Sequence, residues 1–166
     1  VGVKLADMAD VLSSLGHEVT FVTGQGHQPD RLLVELEGGD ERGLHAQLMF
    51  LPDMDDPQVL QIYVGLPAPV EPSGYDRLCR FLAAVNGPLP IGAFGLLEAE
   101  RIVYYRLNEP IGDGALQPAV LSWELSLIDL IVSKVGPLVE EVALGLELEE
   151  GRSRLLGLLD HLVEEQ

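Results

Sequence analysis

The chain has 166 residues, 47% hydrophobic and 22% charged, which is the composition of a folded domain with a real core and lies outside the disordered class. A formal net charge of −17, with Lys4 and Lys134 the only lysines and no basic stripe, argues against a nucleic-acid surface, because phosphates must be met by cations. No apolar run reaches the roughly 20 residues of a membrane helix, and the single Cys79 excludes an internal disulfide framework, so a reducing, cytoplasmic setting is expected.

In chain order, Leu5, Met8, Val11, Leu12 and Leu15 recur at three- and four-residue spacing and predict a first helix over Val3 to Leu15, ended by Gly16. Glu18 to Val22 is a short β-like run before the loop Thr23 to Pro29. Three strand-length segments follow: Arg31–Glu37, His45–Leu51 and Gln58–Val64. Their short polar connections predict an antiparallel meander. The connector Leu66 to Pro72 is expected to reset the chain direction, with Ser73 capping a second helix whose buried stripe is Tyr75, Leu78, Cys79, Leu82 and Val85. Cys79 is thus expected to be a packed thiol.

Two short strands, Ala93 to Leu97 and Arg101 to Leu107, lead to a long helix. Its seam runs through Leu121, Leu125, Ile128, Val132, Val135, Val139 and Val142. Val120, Trp123, Leu127, Leu130, Ile131 and Leu138 widen that seam, leaving a polar strip of Ser122, Ser126, Asp129, Ser133 and Glu140. Gly136-Pro137 is expected to bend or break this helix. A last amphipathic helix lies within Glu149 to Glu165.

Motifs with chemistry are sparse. The four histidines lie far apart and one cysteine cannot supply a thiolate cluster, so no metal site is expected. Asp53, Asp55 and Asp56 bunch as in a solvated turn and lack the spacing of a calcium loop. Gly24-Gln-Gly26 lacks the third glycine and the lysine of a phosphate loop. Glu98/Glu100 and Glu140/Glu141 are read as exposed pairs.

Strand alternation is more informative. Leu32, Val34 and Leu36, with Ala46, Leu48 and Phe50, and with Leu60, Ile62 and Val64, give three matched inward faces. Leu33, Met49 and Tyr63 then stand on the reverse face, joined by Tyr105, as a partly apolar patch. Such a patch is either the candidate partner-binding surface or a face covered by the last helix or a dimer mate.

The segment Val59-Leu-Gln-Ile-Tyr-Val-Gly-Leu-Pro67 ahead of a helix, the pair Gly92-Ala-Phe-Gly-Leu-Leu97 and Ile102-Val-Tyr-Tyr-Arg106, and the long helix ending near Gly145 resemble the YbjN-like family, which shares the type III secretion chaperone-like fold. The resemblance covers about Leu5 to Leu144. It implies a helix-flanked antiparallel sheet, frequent dimers, a cytoplasmic address and a chaperone-like or adaptor role, with no cofactor and no catalytic residues to carry over. The expected fold is therefore α+β, about five antiparallel strands in the order α-βββ-α-ββ-α, with a domain over 1–145 and an appended helix over 146–166. The expected function is non-enzymatic: a homodimeric domain holding a protein client on apolar sheet and helix surfaces. The alternative is a small-ligand binder or enzyme using Tyr104, Tyr105, Arg106 or Asp129 between sheet and long helix.

Overall fold

The computed structural model describes residues 3–38, 43–55, 58–111 and 117–164. Their elements are α1 (Leu5–Ser14), β1 (Val19–Val22), β2 (Arg31–Glu35), β3 (His45–Asp55), β4 (Gln58–Pro69), a 3-10 turn (Pro72–Gly74), α2 (Tyr75–Asn86), β5 (Ala93–Leu97), β6 (Ile102–Ile111), α3 (Pro118–Leu144) and α4 (Leu148–Glu164). The fold is α+β with a six-stranded antiparallel sheet in the order β1-β2-β3-β4-β6-β5. The short run at 19–22 supplies the strand beyond the five expected: Val19 pairs with Val34 and Val22 with Arg31.

The chain divides into two compact units, Val1–Val64 with Arg106–Asp129, and Gly65–Tyr105 with Leu130–Gln166. In the first, Leu32 pairs with Leu48 and Leu48 with Ile62, so one face of the meander carries Leu32, Val34, Ala46, Leu48, Leu60, Ile62 and Val64, all fully buried. A period-2 pattern with brief connections can bury these residues together in only one register. The helix α1 lays Met8 and Leu12 against β1 and β2.

In the second unit, α2 buries Leu78, Phe81, Leu82 and Val85 and packs against β5 and α4. Close approach of α4 depends on Gly151, where a Cβ would lie 2.9 Å from Val142 Cγ2 and 3.1 Å from Phe81 Cε2. At the end of α3, Gly145 adopts φ +129°, and the Leu146 N–H donates to the Glu141 carbonyl at 2.8 Å. Arg154 of α4 then grips both oxygens of Glu141, one of them at 2.8 Å. This guanidinium holds the Glu141 carboxyl below its ordinary range.

Several local expectations are corrected. Cys79 is exposed, because the helical turn brings Phe81 rather than Cys79 into line with Leu78, Leu82 and Val85. Ser73 lies inside the 3-10 turn and makes no side-chain cap; Gly74 occupies the cap position of α2. The proline connector does not end its strand: β4 continues to Pro69, with Pro67 and Pro69 exposed, as suits residues lacking a donor. Of the bend or break expected at Gly136-Pro137, the break does not occur: α3 continues through Pro137, whose ring forfeits one backbone bond while Val135, Leu138 and Val139 around it are buried. The aspartates at 53–56 lie outside the residues whose side chains are described.

Candidate functional site

The reverse face of the meander is built by register. Thr20, Leu33, Gln47 and Tyr63 form one row across β1 to β4, and Met49 stands opposite Gln61 in the next. Leu33, Met49 and Tyr63 are each half-buried, and the Gln61 amide donates to Asn108 Oδ1 at 3.0 Å. Amide side chains therefore interrupt the apolar residues, and this face is a mixed surface.

Tyr105 does not belong to such a surface. It is fully buried, donates its hydroxyl to the Ile91 carbonyl at 2.7 Å and meets Phe94 edge-to-face at 5.2 Å between centroids. Parity explains the correction: Val103, Tyr105 and Ile111 are the inward positions of β6, while Arg106 and Asn108 are exposed. Tyr104, on the other face, lies over Gly95, where a Cβ would sit 2.5 Å from the phenol ring. The strand thus separates Tyr105 from Tyr104 and Arg106, so these three do not converge.

Asp129 does line a cleft, of about 190 Å³, with His17, Glu35, Glu37 and Ser126. Its two carboxylate oxygens accept the Gly38 N–H at 3.1 and 3.0 Å. Beside it, His17 Nε2 lies 2.9 Å from Ser122 Oγ, and Ser126 donates to the Ser122 carbonyl at 3.0 Å. A serine within reach of an imidazole is the first element of nucleophilic catalysis. The surroundings oppose it, because the three carboxylates would repel an oxyanion and the Gly38 N–H is already engaged. Among the described residues no group of three or more His, Cys, Asp or Glu is placed to hold a metal. The glycine loop closes on itself: Asp30 Oδ1 accepts the Gly24 N–H at 2.8 Å, placing a carboxylate where an anion would need a donor.

Helix α3 shows three faces in its first turns. Leu121, Leu125 and Ile128 are buried, and Ser122, Ser126 and Asp129 form the polar strip. A third face, unremarked among the widening apolar residues of the sequence, carries Val120 at 40% exposure, Trp123 at 58% and Leu127, half-buried, at spacings of three and four. Leu130, 44% exposed, is the next position of that spacing. No family model and no curated protein matches this chain. The candidate surface therefore stands on its own chemistry, and exposed Trp123 is its most distinctive part: a large apolar ring whose indole N–H suits an interface better than bulk water.

Sequence reasoning also passed over Glu124. It is 9% exposed, and burial first, with the neighbouring Glu109 carboxyl of β6 adding to it, pushes its own carboxyl up to about 7. The signal was present, since Glu124 lies three residues from Leu121 and four from Ile128, a position that belongs to the apolar seam.

Proposed function

We propose that this chain is a non-enzymatic protein-binding domain with a chaperone-like or adaptor role, as its resemblance to the YbjN-like family implies. The observation that carries the reading is the stripe of exposed Val120 and Trp123 with half-buried Leu127 on α3. An aromatic residue exposed within an apolar stripe has the character of a binding hot spot. With a net charge of −17, the fitting client is an amphipathic segment whose flanks are basic: its apolar side meets the stripe and its cations meet the acidic exterior. The mixed face around Leu33, Met49 and Tyr63 supplies a second contact region in the same reading. A second copy of the chain is the competing occupant, which gives a homodimer.

The test compares the parent with a Val120→Asp/Trp123→Asp variant, whose substitutions fall at exposed positions outside the core. A photocrosslinking residue at position 123 maps whatever lies on the stripe. Crosslinks to a net-basic segment of another protein, lost in the variant while its melting temperature is retained, support the proposal. Crosslinks to the same chain, with a doubled mass by light scattering, assign the stripe to a dimer. Equal capture by parent and variant counts against the stripe.

A second reading, a small-ligand site, is favoured by the cleft beside His17 and Asp129. Its carboxylates select a small cationic ligand, and native mass spectrometry of the purified protein tests for one.

A further inference from the structure

We propose that the groove beside the first turn of α1 binds a free α-amino acid with a large apolar side chain. The groove has a volume of about 390 Å³, within the ~300–1,000 Å³ range of small-molecule sites, and all of its lining residues belong to the first compact unit. It shares no lining residue with the acidic cleft at His17 and includes no part of the α3 stripe, so its occupant is independent of the client proposed above.

Strand parity brings two aromatic rings to this place. Phe21 pairs with Leu32 and Leu32 with Leu48, so Phe21 stands on the inward face of the meander; Phe50, opposite Leu60, stands on the same face. Leu32, Leu48 and Leu60 are fully buried there, whereas Phe21 is 44% exposed and Phe50 half-buried. The difference is one of cover. Helix α1 begins at Leu5 and lays Met8 and Leu12 against β1 and β2, so the end of the inward face beside its first turn stays open, walled by Leu5 and Pro29. The Val3 N–H donates to Gln58 Oε1 at 3.0 Å, which ties the segment ahead of α1 to β4 and holds that wall in place.

Lys4 and Asp30 bring one charge of each sign to the lining. Neither makes an ion pair with a described residue, so the two charges do not neutralise one another. Asp30 gives Oδ1 to the Gly24 N–H at 2.8 Å, which fixes the carboxylate and leaves Oδ2 as a further acceptor. A groove with aromatic walls, an ammonium and a carboxylate complements a ligand with an apolar body and both charges. A free α-amino acid carries both on one carbon, beside its side chain. Its carboxylate meets Lys4, its ammonium meets Asp30, and its side chain lies against Phe21 and Phe50, where an aromatic ring gains most. A peptide terminus lacks one of the two charges and fits less well.

The test titrates the isotope-labelled full chain with L-phenylalanine, 3-phenylpropanoate and 2-phenylethylamine, and follows the backbone amides of Leu5, Phe21 and Phe50 by heteronuclear NMR. L-Phenylalanine has the ring and both charges; each of the other probes lacks one charge. Saturable shifts with L-phenylalanine are expected, with binding about tenfold or more weaker for the other two. Lys4→Gln should weaken L-phenylalanine by a similar factor and leave 2-phenylethylamine unchanged. Asp30→Asn, which keeps an acceptor for the Gly24 N–H, should weaken L-phenylalanine and leave 3-phenylpropanoate unchanged. Phe21→Ala should weaken all three probes; if that variant does not fold, the two charge variants, both at exposed positions, decide. No saturable shift at these amides with L-phenylalanine would overturn the assignment. So would a singly charged probe that binds as tightly as L-phenylalanine, or charge variants that bind it like the parent.

Discussion

Asn86, the last residue of α2, holds the edge strand β5 by both ends of its amide: its Nδ2 donates to the Phe94 carbonyl at 2.9 Å and its Oδ1 accepts the Phe94 N–H at 2.8 Å. A side chain thus takes the place of a further strand at the sheet's last position, where backbone groups otherwise await a partner. Replacing Asn86 with Ala leaves both groups of Phe94 unpaired, and the expected loss is about 1–3 kcal/mol by chemical denaturation. Asn86→Asp should also destabilise, since it keeps the acceptor and removes the donor.

Two glycines of α4 should respond oppositely to the same kind of change. Gly151 meets Val142 and Phe81 within 3.1 Å of an added Cβ, whereas Gly157 has nothing within 4 Å. Gly157→Ala should stabilise by about 0.5–1 kcal/mol through helix propensity. Gly151→Val should cost about 1–3 kcal/mol by overpacking, read from midpoints of thermal or urea unfolding. Equal responses would mean that α4 does not pack as described.

Tyr105 has the environment of a core residue, so Tyr105→Phe should cost about 1 kcal/mol for the lost bond to Ile91 and Tyr105→Ala about 3–5 kcal/mol. Val120→Ser, on the exposed stripe, should change stability by less than about 0.5 kcal/mol. A urea series over these variants separates core from surface.

The exposed Cys79 thiol should be alkylated by iodoacetamide in the native protein at a rate close to that in urea. Mass spectrometry over time measures it, and strong native protection would place Cys79 back on the packed side of α2.

Tyr105 and Glu124 show where reading the sequence reaches its limit. Alternation over Leu32–Leu36, His45–Phe50 and Leu60–Val64 marked the inward face of the meander, because period-2 burial leaves its imprint on every strand that has one wet side. In β6, residues of both parities at 102–105 are apolar or aromatic, so periodicity cannot choose a face, and neighbouring packing buries Val103 and Tyr105. The same ambiguity hid the third face of α3, whose apolar residues run most of the way around the helix. Chemistry was less legible than fold, since His17 and Ser122, or Gly38 and Asp129, are far apart along the chain and meet only through packing.

Composition and local period are properties of consecutive residues, so an acidic α+β domain with an antiparallel meander, two apolar-faced helices after it and an amphipathic helix at the end can be read along the chain. Packing settles which apolar residues stay in water, that α4 docks on α2 through Gly151, and that Glu124 is buried among the apolar residues of α3. Those outcomes depend on which surfaces close over one another, and burial of that kind is set by the whole chain at once.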